Sequence, residues 1–206
     1  MTDEEPALSD VAVRAYSITS YGSASERDFH KEFWSPAGES LEAEGFEFVG
    51  DVGGSLHLPP TLLSSKRRLE PTAVFGADDA IVAISLFIAA AVGQWAIGKI
   101  CDWLWERKFR EPLTEMLERR RREGYADKPM TVSFGVWYDT DAVYIGAVAS
   151  LGANEGDDHL ADLIPEAQRR GLAWVEAHGI TKPVVIFPIR NGELASVPTL
   201  SDSISD

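Results

Sequence analysis

The sequence predicts an α+β protein, in which a β-α-β-β unit and a β-β-α-β-β unit are joined by a long, largely apolar central helix. Three observations predict this class. Strand and helix patterns alternate in the first third of the chain, and hairpin signals flank one helix in the last third. Between them, the run from Ala80 to Gly98 carries no charge. Hairpins at both ends of a helix are typical of α+β folds rather than of a doubly wound parallel sheet.

The β-α-β-β unit with its connector covers residues 11–76, after an acidic stretch, residues 1–10, that we expect to be a loose tail without a signal peptide. β-Branched and aromatic residues from Val11 to Ile18 predict a strand. Glu26 to Trp34 predicts a short helix, and Ser35-Pro36 predicts the start of a second helix that ends at Gly45. A hairpin is then predicted around a glycine-rich turn, with strand residues Phe46, Phe48, Leu56 and Leu58.

The β-β-α-β-β unit covers residues 129–198. Alternation of apolar residues from Thr131 to Tyr138 predicts a strand that turns back into a second strand. An amphipathic helix follows, with Asp157 or Asp158 at its start and Gly179 at its end. A last hairpin is predicted at Asn191-Gly192, a pair that favours the type I′ turn. Residues 199–206 are expected to form a second loose tail.

The central helical segment, residues 77–124, contains the run on which the interpretation depends. As a helix, residues 80–98 would be about 28 Å long, close to the roughly 30 Å of a bilayer's hydrocarbon core. The run is diluted with alanine and glycine, and strongly apolar residues are few, so its insertion free energy is near zero. The sequence therefore leaves two alternatives, a buried core helix covered by both β-rich units and a membrane span.

Two sets of residues in this segment are candidate contact sites. The first would pack helices closely through small residues or sit at a membrane boundary as an aromatic belt; it consists of Ser85, Ala89, Gly93, Trp95, Trp103 and Trp105. The second is the only dense basic run, which could contact an anionic surface or simply end a helix in solvent; it consists of Arg119, Arg120, Arg121 and Arg122.

The composition and the motifs limit the classes of function. The net charge of -14 disfavours a nucleic-acid partner, because phosphate backbones would be repelled. One cysteine, Cys101, excludes an internal disulfide. No nucleotide-binding, hydrolase or zinc-protease motif is present, and the histidines are scattered. We therefore predict no catalytic, cofactor-binding or metal-binding residues.

These observations lead to a ranked set of functional hypotheses. The first is a non-enzymatic, acidic protein-binding module of an inhibitor, immunity or antitoxin type, bacterial and cytoplasmic, that engages a basic protein partner. The alternative is a membrane-associated effector that inserts helix 80–98, and a weaker one is an enzyme without a recognisable motif. Association with a second copy of the chain is a further option for the partner.

Overall fold

A single mixed β-sheet with helices packed on one face forms the protein in the computed structural model. The structure describes residues 11–21, 24–48, 80–90, 94–124, 128–138, 141–151 and 159–202. In chain order the elements are β1 (Val11–Tyr21), α1 (Ala24–Ala43), β2 (Glu47–Phe48), β3 (Ala80–Ala90), α2 (Gln94–Leu104), a π-helical segment (Trp105–Phe109), α3 (Arg110–Arg122), β4 (Met130–Tyr138), β5 (Val143–Leu151), α4 (Leu160–His178), β6 (Val184–Arg190), β7 (Glu193–Leu194) and β8 (Thr199–Ser201).

The strand order across the sheet is β2-β1-β3-β4-β5-β6-β7, and β8 also pairs with β6. Parallel pairs (β1 with β2, β3 with β4, β5 with β6) alternate with antiparallel pairs (β1 with β3, β4 with β5, β6 with β7 and β8). Each parallel pair is joined by a helical connection, as parallel pairing requires. The mixed sheet with helices confirms the predicted α+β class, and its strands unite the two predicted β-rich units.

The predicted helix over residues 80–98 is wrong for Ala80–Ala90, which forms strand β3. β3 lies between β1 and β4, and its residues from Ile81 to Ile88 are buried on both faces of the sheet. A strand that is buried on both faces reads as a continuous apolar run, which explains the missing charges. The long central helix begins only at Gln94 and continues through the π-helical segment to Arg122.

Membrane insertion was the alternative assigned to this segment. Among the residues that the structure describes, no helix combines the length and the apolar character needed to cross a bilayer.

The helix face of the sheet holds the main core. The π-helical segment places two aromatic rings on β4: the ring centroids of Trp105 and Phe134 are 4.9 Å apart and those of Phe109 and Phe134 are 5.5 Å apart, both in edge-on contact. On the neighbouring strand, α4 approaches β5 so closely that a Cβ added at Gly171 would lie 2.2 Å from Cγ2 of Ile145. The helices are thus held against the sheet by aromatic contacts at one place and by a glycine at another.

The opposite face of the sheet carries a smaller buried cluster. Phe87, Trp137, Tyr144 and Val184 are each 7% exposed or less. They occupy one row across β3, β4, β5 and β6, because the register pairs them in that order. The sheet therefore has buried apolar side chains on each of its two faces.

The helical connection from β3 to β4 and the one from β5 to β6 have opposite hands. Both advance in the same direction along the strand order, from β3 to β4 and from β5 to β6, but β4 and β5 are antiparallel. Both also lie on the same face, since Phe134 and Ile145, which they contact, point to one side of the sheet. One of the two is therefore left-handed, whereas about 98% of such crossovers are right-handed.

Several smaller predictions can be compared with the structure. The β-β-α-β-β order is confirmed, and Asn191 and Gly192 have the positive φ angles, 53° and 73°, of the predicted turn.

The predicted break between two helices at Ser35-Pro36 is wrong, because α1 is one helix with Pro36 inside it. The loose tail from residue 199 is wrong for Thr199–Ser201, which pairs with β6. The predicted tail at 1–10, Leu56 and Leu58 of the hairpin, and Asp157 and Asp158 lie outside the described residues.

Candidate protein-binding surface

The structure separates the predicted small-residue and aromatic set. Ser85 and Ala89 lie on strand β3, so the predicted helix-packing seam is wrong, and Gly93 lies outside the described residues. Trp95 is in α2, but its side chain is outside the described part. Because β3 is central to the sheet, Ser85 is 2% exposed and cannot meet a second helix or a lipid.

Trp103 and Trp105 have different environments, which does not fit an aromatic belt. Trp105 is 2% exposed, and its indole nitrogen donates a hydrogen bond of 2.9 Å to the carbonyl oxygen of Ala161 on α4. Trp103 is partly exposed, and the charged groups of Arg107 and Lys108 lie 5.4 and 5.9 Å from its ring centroid. Trp105 therefore joins two helices, and Trp103 supports two cations through its ring face.

The four predicted arginines do not form one basic surface. Arg119 pairs with Glu32 at 2.9 Å and with Glu123 at 2.7 Å. Arg120 is 5% exposed and donates a hydrogen bond of 3.0 Å to the carbonyl oxygen of Lys128. Arg121 and Arg122 are exposed on the last turn of α3. At least two of the four cations are thus used inside the molecule, which weakens the case for an anion-binding patch.

Burial keeps two titratable groups of the core, the Cys101 thiol and the Tyr138 hydroxyl, in their protonated forms. Burial raises the pKa of the Cys101 thiol to about 12, and the Cys101 sulfur lies 3.7 Å from the hydroxyl of Tyr138. Burial also raises the pKa of Tyr138 well above its usual value. Since the thiolate is the nucleophilic form, Cys101 is chemically inert in the folded protein. Within the described part of the chain, no three His, Cys, Asp or Glu side chains are grouped so that they could hold a metal ion.

A surface at the β2 edge of the sheet combines an exposed aromatic ring with unpaired carboxylates. β2 is the terminal strand of the order, and its Phe48 is 48% exposed, the one aromatic side chain among the exposed large apolar residues of the described part. Glu39 and Glu42 on α1 are exposed, and Glu47 on β2 is exposed on the other face of the sheet, because neighbouring strand residues alternate. We call Phe48, Glu39, Glu42 and Tyr16 the Phe48 surface.

Tyr16 on β1 connects the members of the Phe48 surface. Its ring centroid lies 5.3 Å from that of Phe48, and its hydroxyl donates a hydrogen bond of 3.0 Å to Oε1 of Glu42. α1 approaches this ring so closely that a Cβ added at Gly38 would lie 2.9 Å from the Tyr16 hydroxyl oxygen. The buried side chain of Tyr16 therefore contacts Phe48 through its ring and the carboxylate of Glu42 through its hydroxyl.

The electrostatics of Tyr16 show that negative charge accumulates at this surface. Burial, the hydrogen bond to Glu42, and then the charges of Glu42 and Glu39 raise the pKa of Tyr16 to about 12. Glu39 and Glu42 are three residues apart on α1 and are therefore neighbours on the helix surface. Both disfavour the phenolate, as like charges do.

Lys108, a cation at this end of α1 in the described part of the chain, is engaged by other residues. Lys108 donates hydrogen bonds to Oγ of Ser40 at 2.6 Å and to Oε1 of Glu44 at 3.1 Å, which pins the end of α1 to the π-helical segment. Residues 35–48 contain four glutamates and neither lysine nor arginine. Glu39, Glu42 and Glu47 consequently have no ion pair with another residue of the described part.

The Phe48 surface is not predicted from the sequence, in which Phe48 is expected only to be a strand residue of a hairpin. Phe48 lies next to Tyr16, 32 residues earlier, because of the parallel register of β1 and β2, which no local pattern indicates. The local signal was the glutamate-only stretch at 35–48 with an aromatic residue at its end. Comparisons of this chain with family models, with curated proteins and with solved structures found no match.

Proposed function

We propose that this chain is a non-enzymatic protein-binding module, of the kind found in inhibitor or immunity-type proteins, whose acidic surface engages a basic protein partner. The single observation that carries this proposal is the Phe48 surface, where a half-exposed ring adjoins carboxylates that form no ion pair within the described residues. Exposed aromatic residues are enriched where proteins bind each other, because they provide a large contact area at low cost in conformational entropy.

The charge of the whole chain supports the same proposal. A net charge of -14 attracts a basic partner from a distance and accelerates its association, and the attraction weakens as salt is added. Four carboxylates on the other helices are neutralised locally: Arg110 bridges Glu106 and Asp162, and Arg169 bridges Asp102 and Glu166. What distinguishes the Phe48 surface is that carboxylates without an ion pair in the described part of the chain lie next to an exposed aromatic ring.

The experiment is an affinity capture from the native host with a charge-reversed variant. The variant carries Glu39→Lys and Glu42→Gln, in which glutamine keeps an acceptor for the Tyr16 hydroxyl. We expect wild type to retain a basic protein at about 50 mM salt and to release it at about 500 mM, and the variant to retain at least about tenfold less.

The matched control changes the net charge by the same amount on another exposed ridge. It carries Glu111→Lys and Glu115→Gln on α3, where both side chains are exposed. We expect this control to retain the partner nearly as well as wild type. Equal retention by both variants, or equal loss, would contradict the proposed surface.

A further inference from the structure

The structure contains, at the other end of α1, an occupied arrangement that resembles the Phe48 surface. There the guanidinium carbon of Arg119 lies 5.2 Å from the ring centroid of Phe29 and 5.5 Å from that of Phe33. Nη1 of the same arginine pairs with Oε2 of Glu32 at 2.9 Å. Aromatic rings and a carboxylate on one helix thus hold one guanidinium from α3.

The Phe48 surface has the same components without the cation. Phe48 and Tyr16 supply rings whose centroids are 5.3 Å apart, and Glu42 supplies a carboxylate fixed by the Tyr16 hydroxyl at 3.0 Å, with Glu39 beside it. Within the described part of the chain no cation pairs with Glu39 or Glu42, and Lys108, which contacts this end of α1, is bound to Ser40 and Glu44. Phe48 has room for a contact, because it is 48% exposed.

We propose that the Phe48 surface binds an arginine side chain of the partner, with the guanidinium stacked on the ring of Phe48 and paired with the carboxylates of Glu39 and Glu42. This inference rests on the proposed function and names the chemistry that the partner presents. Arginine fits better than lysine, because its planar guanidinium is weakly hydrated, stacks on aromatic faces and donates two parallel hydrogen bonds to a carboxylate. An ammonium gains the charge attraction but not the stacking.

The test uses the full chain and three synthetic peptides of the form acetyl-Gly-Xaa-Gly-Xaa-Gly-amide, in which Xaa is arginine, lysine or the neutral isostere citrulline. Binding is followed by the amide chemical shifts of Ala15, Glu47 and Phe48 in two-dimensional NMR spectra. We expect the arginine peptide to bind at least about threefold more tightly than the lysine peptide, and the citrulline peptide not to bind.

Two variants of Phe48 separate stacking from charge. Phe48→Tyr keeps a ring and should keep the preference for arginine, whereas Phe48→Leu keeps an apolar contact without a ring and should reduce the arginine-to-lysine ratio to about one. Both are expected to fold, because Phe48 is half exposed on a strand of two residues. Native-like spectra away from this strand verify that.

The outcomes distinguish this inference from the proposed function. Equal affinities of wild type for the arginine and lysine peptides, with shift changes at the Phe48 surface, would overturn the assignment to arginine while supporting a basic partner there. An unchanged ratio in Phe48→Leu would overturn the stacking. Shift changes confined to Glu111, Glu115 and Glu118 would overturn both proposals.

Discussion

At the scale of single residues, the tightest constraint lies where a tyrosine covers two glycines in the middle of the sheet. Gly135 on β4 and Gly146 on β5 are paired in the register, and the side chain of Tyr144 lies over both. A Cβ added at Gly135 would lie 2.0 Å from Cζ and from the hydroxyl oxygen of Tyr144. Since Tyr144 is 1% exposed, it has no free direction in which to move.

Gly135→Ala is therefore expected to lower the free energy of unfolding by about 1–3 kcal/mol, as overpacking of a buried site does. Urea denaturation followed by tryptophan fluorescence measures the change. Gly98→Ala on α2 is the control, because its added Cβ would meet only Cδ1 of Leu172, at the ordinary distance of 3.6 Å. There alanine should be neutral or stabilise the helix by up to about 1 kcal/mol. Similar losses in both variants would show that the cause is not the contact with Tyr144.

At the scale of elements, β3 decides the architecture. It is paired along its length with β1 on one side and β4 on the other, so each of its backbone groups can be satisfied within the sheet. Such a strand opens only when the sheet itself is disrupted.

Hydrogen exchange of the amides from Val82 to Ile88 should accordingly require global unfolding, with a protection free energy close to that of unfolding. Mass spectrometry of peptides from exchanged protein measures it. Peptides that cover β8, a three-residue strand paired only with β6, provide the comparison and should exchange faster. Exchange in β3 as fast as in β8 would be incompatible with a central strand.

Helix α1 contains a second feature at this scale, a proline in its interior. Pro36 has no amide hydrogen for the intrahelical bond, and it lies exposed on a helix whose other face packs on the sheet. Pro36→Ala is expected to raise the free energy of unfolding by about 1–3 kcal/mol, because alanine restores the missing bond. Thermal denaturation measures the gain, and Ser35→Ala, next to it and also exposed, is the control. A destabilised Pro36→Ala variant would contradict this expectation.

The elements differ in how well the sequence predicts them, and the reason is physical. The strands around Asn191-Gly192 and the helix before Gly179 depend on local turn chemistry and periodicity, which the letters show directly. The conformation of β3 depends on its neighbours. An apolar run is compatible with either a buried helix or a buried strand, and pairing with strands far along the chain determines which one forms. Ile81, Val82, Ile84 and Ile88, all β-branched, were the local signal that favoured the strand. The Phe48 surface was hidden for the same reason, since a long-range register creates it.

At the scale of the whole molecule, the opposite hands of the two crossovers determine which face the helices cover. With two right-handed connections, α4 would lie on the face opposite to α2 and α3. Instead α4 packs beside them, linked through the Trp105 indole to Ala161 and through Arg110 to Asp162. Handedness rules applied to the sequence would therefore have placed α4 on the face that carries Phe87 and Trp137.

The buried tyrosines give the whole molecule a characteristic response to alkali. The pKa of Tyr16 is raised to about 12, mainly by burial, and burial also raises the pKa values of Tyr138 and Tyr144. A phenol whose pKa is higher in the folded than in the unfolded chain stabilises the fold below pH about 10, and this contribution is lost as the pH rises from about 10 to 12.

We therefore expect the free energy of unfolding to fall steeply above pH about 10. Of the five tyrosines, these three should ionise only with unfolding, so at most two-fifths of the tyrosinate absorbance at 295 nm should appear before the unfolding transition. Circular dichroism at the same pH values locates that transition. Tyr16→Phe should make the fall in stability between pH 10 and 12 shallower. Full tyrosinate absorbance with native circular dichroism would contradict the burial of these phenols.

The position of Cys101 gives this chain a built-in reporter of its own opening. The sole thiol of the sequence lies 3% exposed on α2, against the hydroxyl of Tyr138 on β4. A thiol-specific dye can modify it only after the helix has lifted from the strand and the sulfur has become ionisable. The labelling rate, measured without any engineered probe, thus reports how often the helical layer separates from the sheet. A bound partner that holds α1 and the neighbouring helices on the sheet would lower this rate.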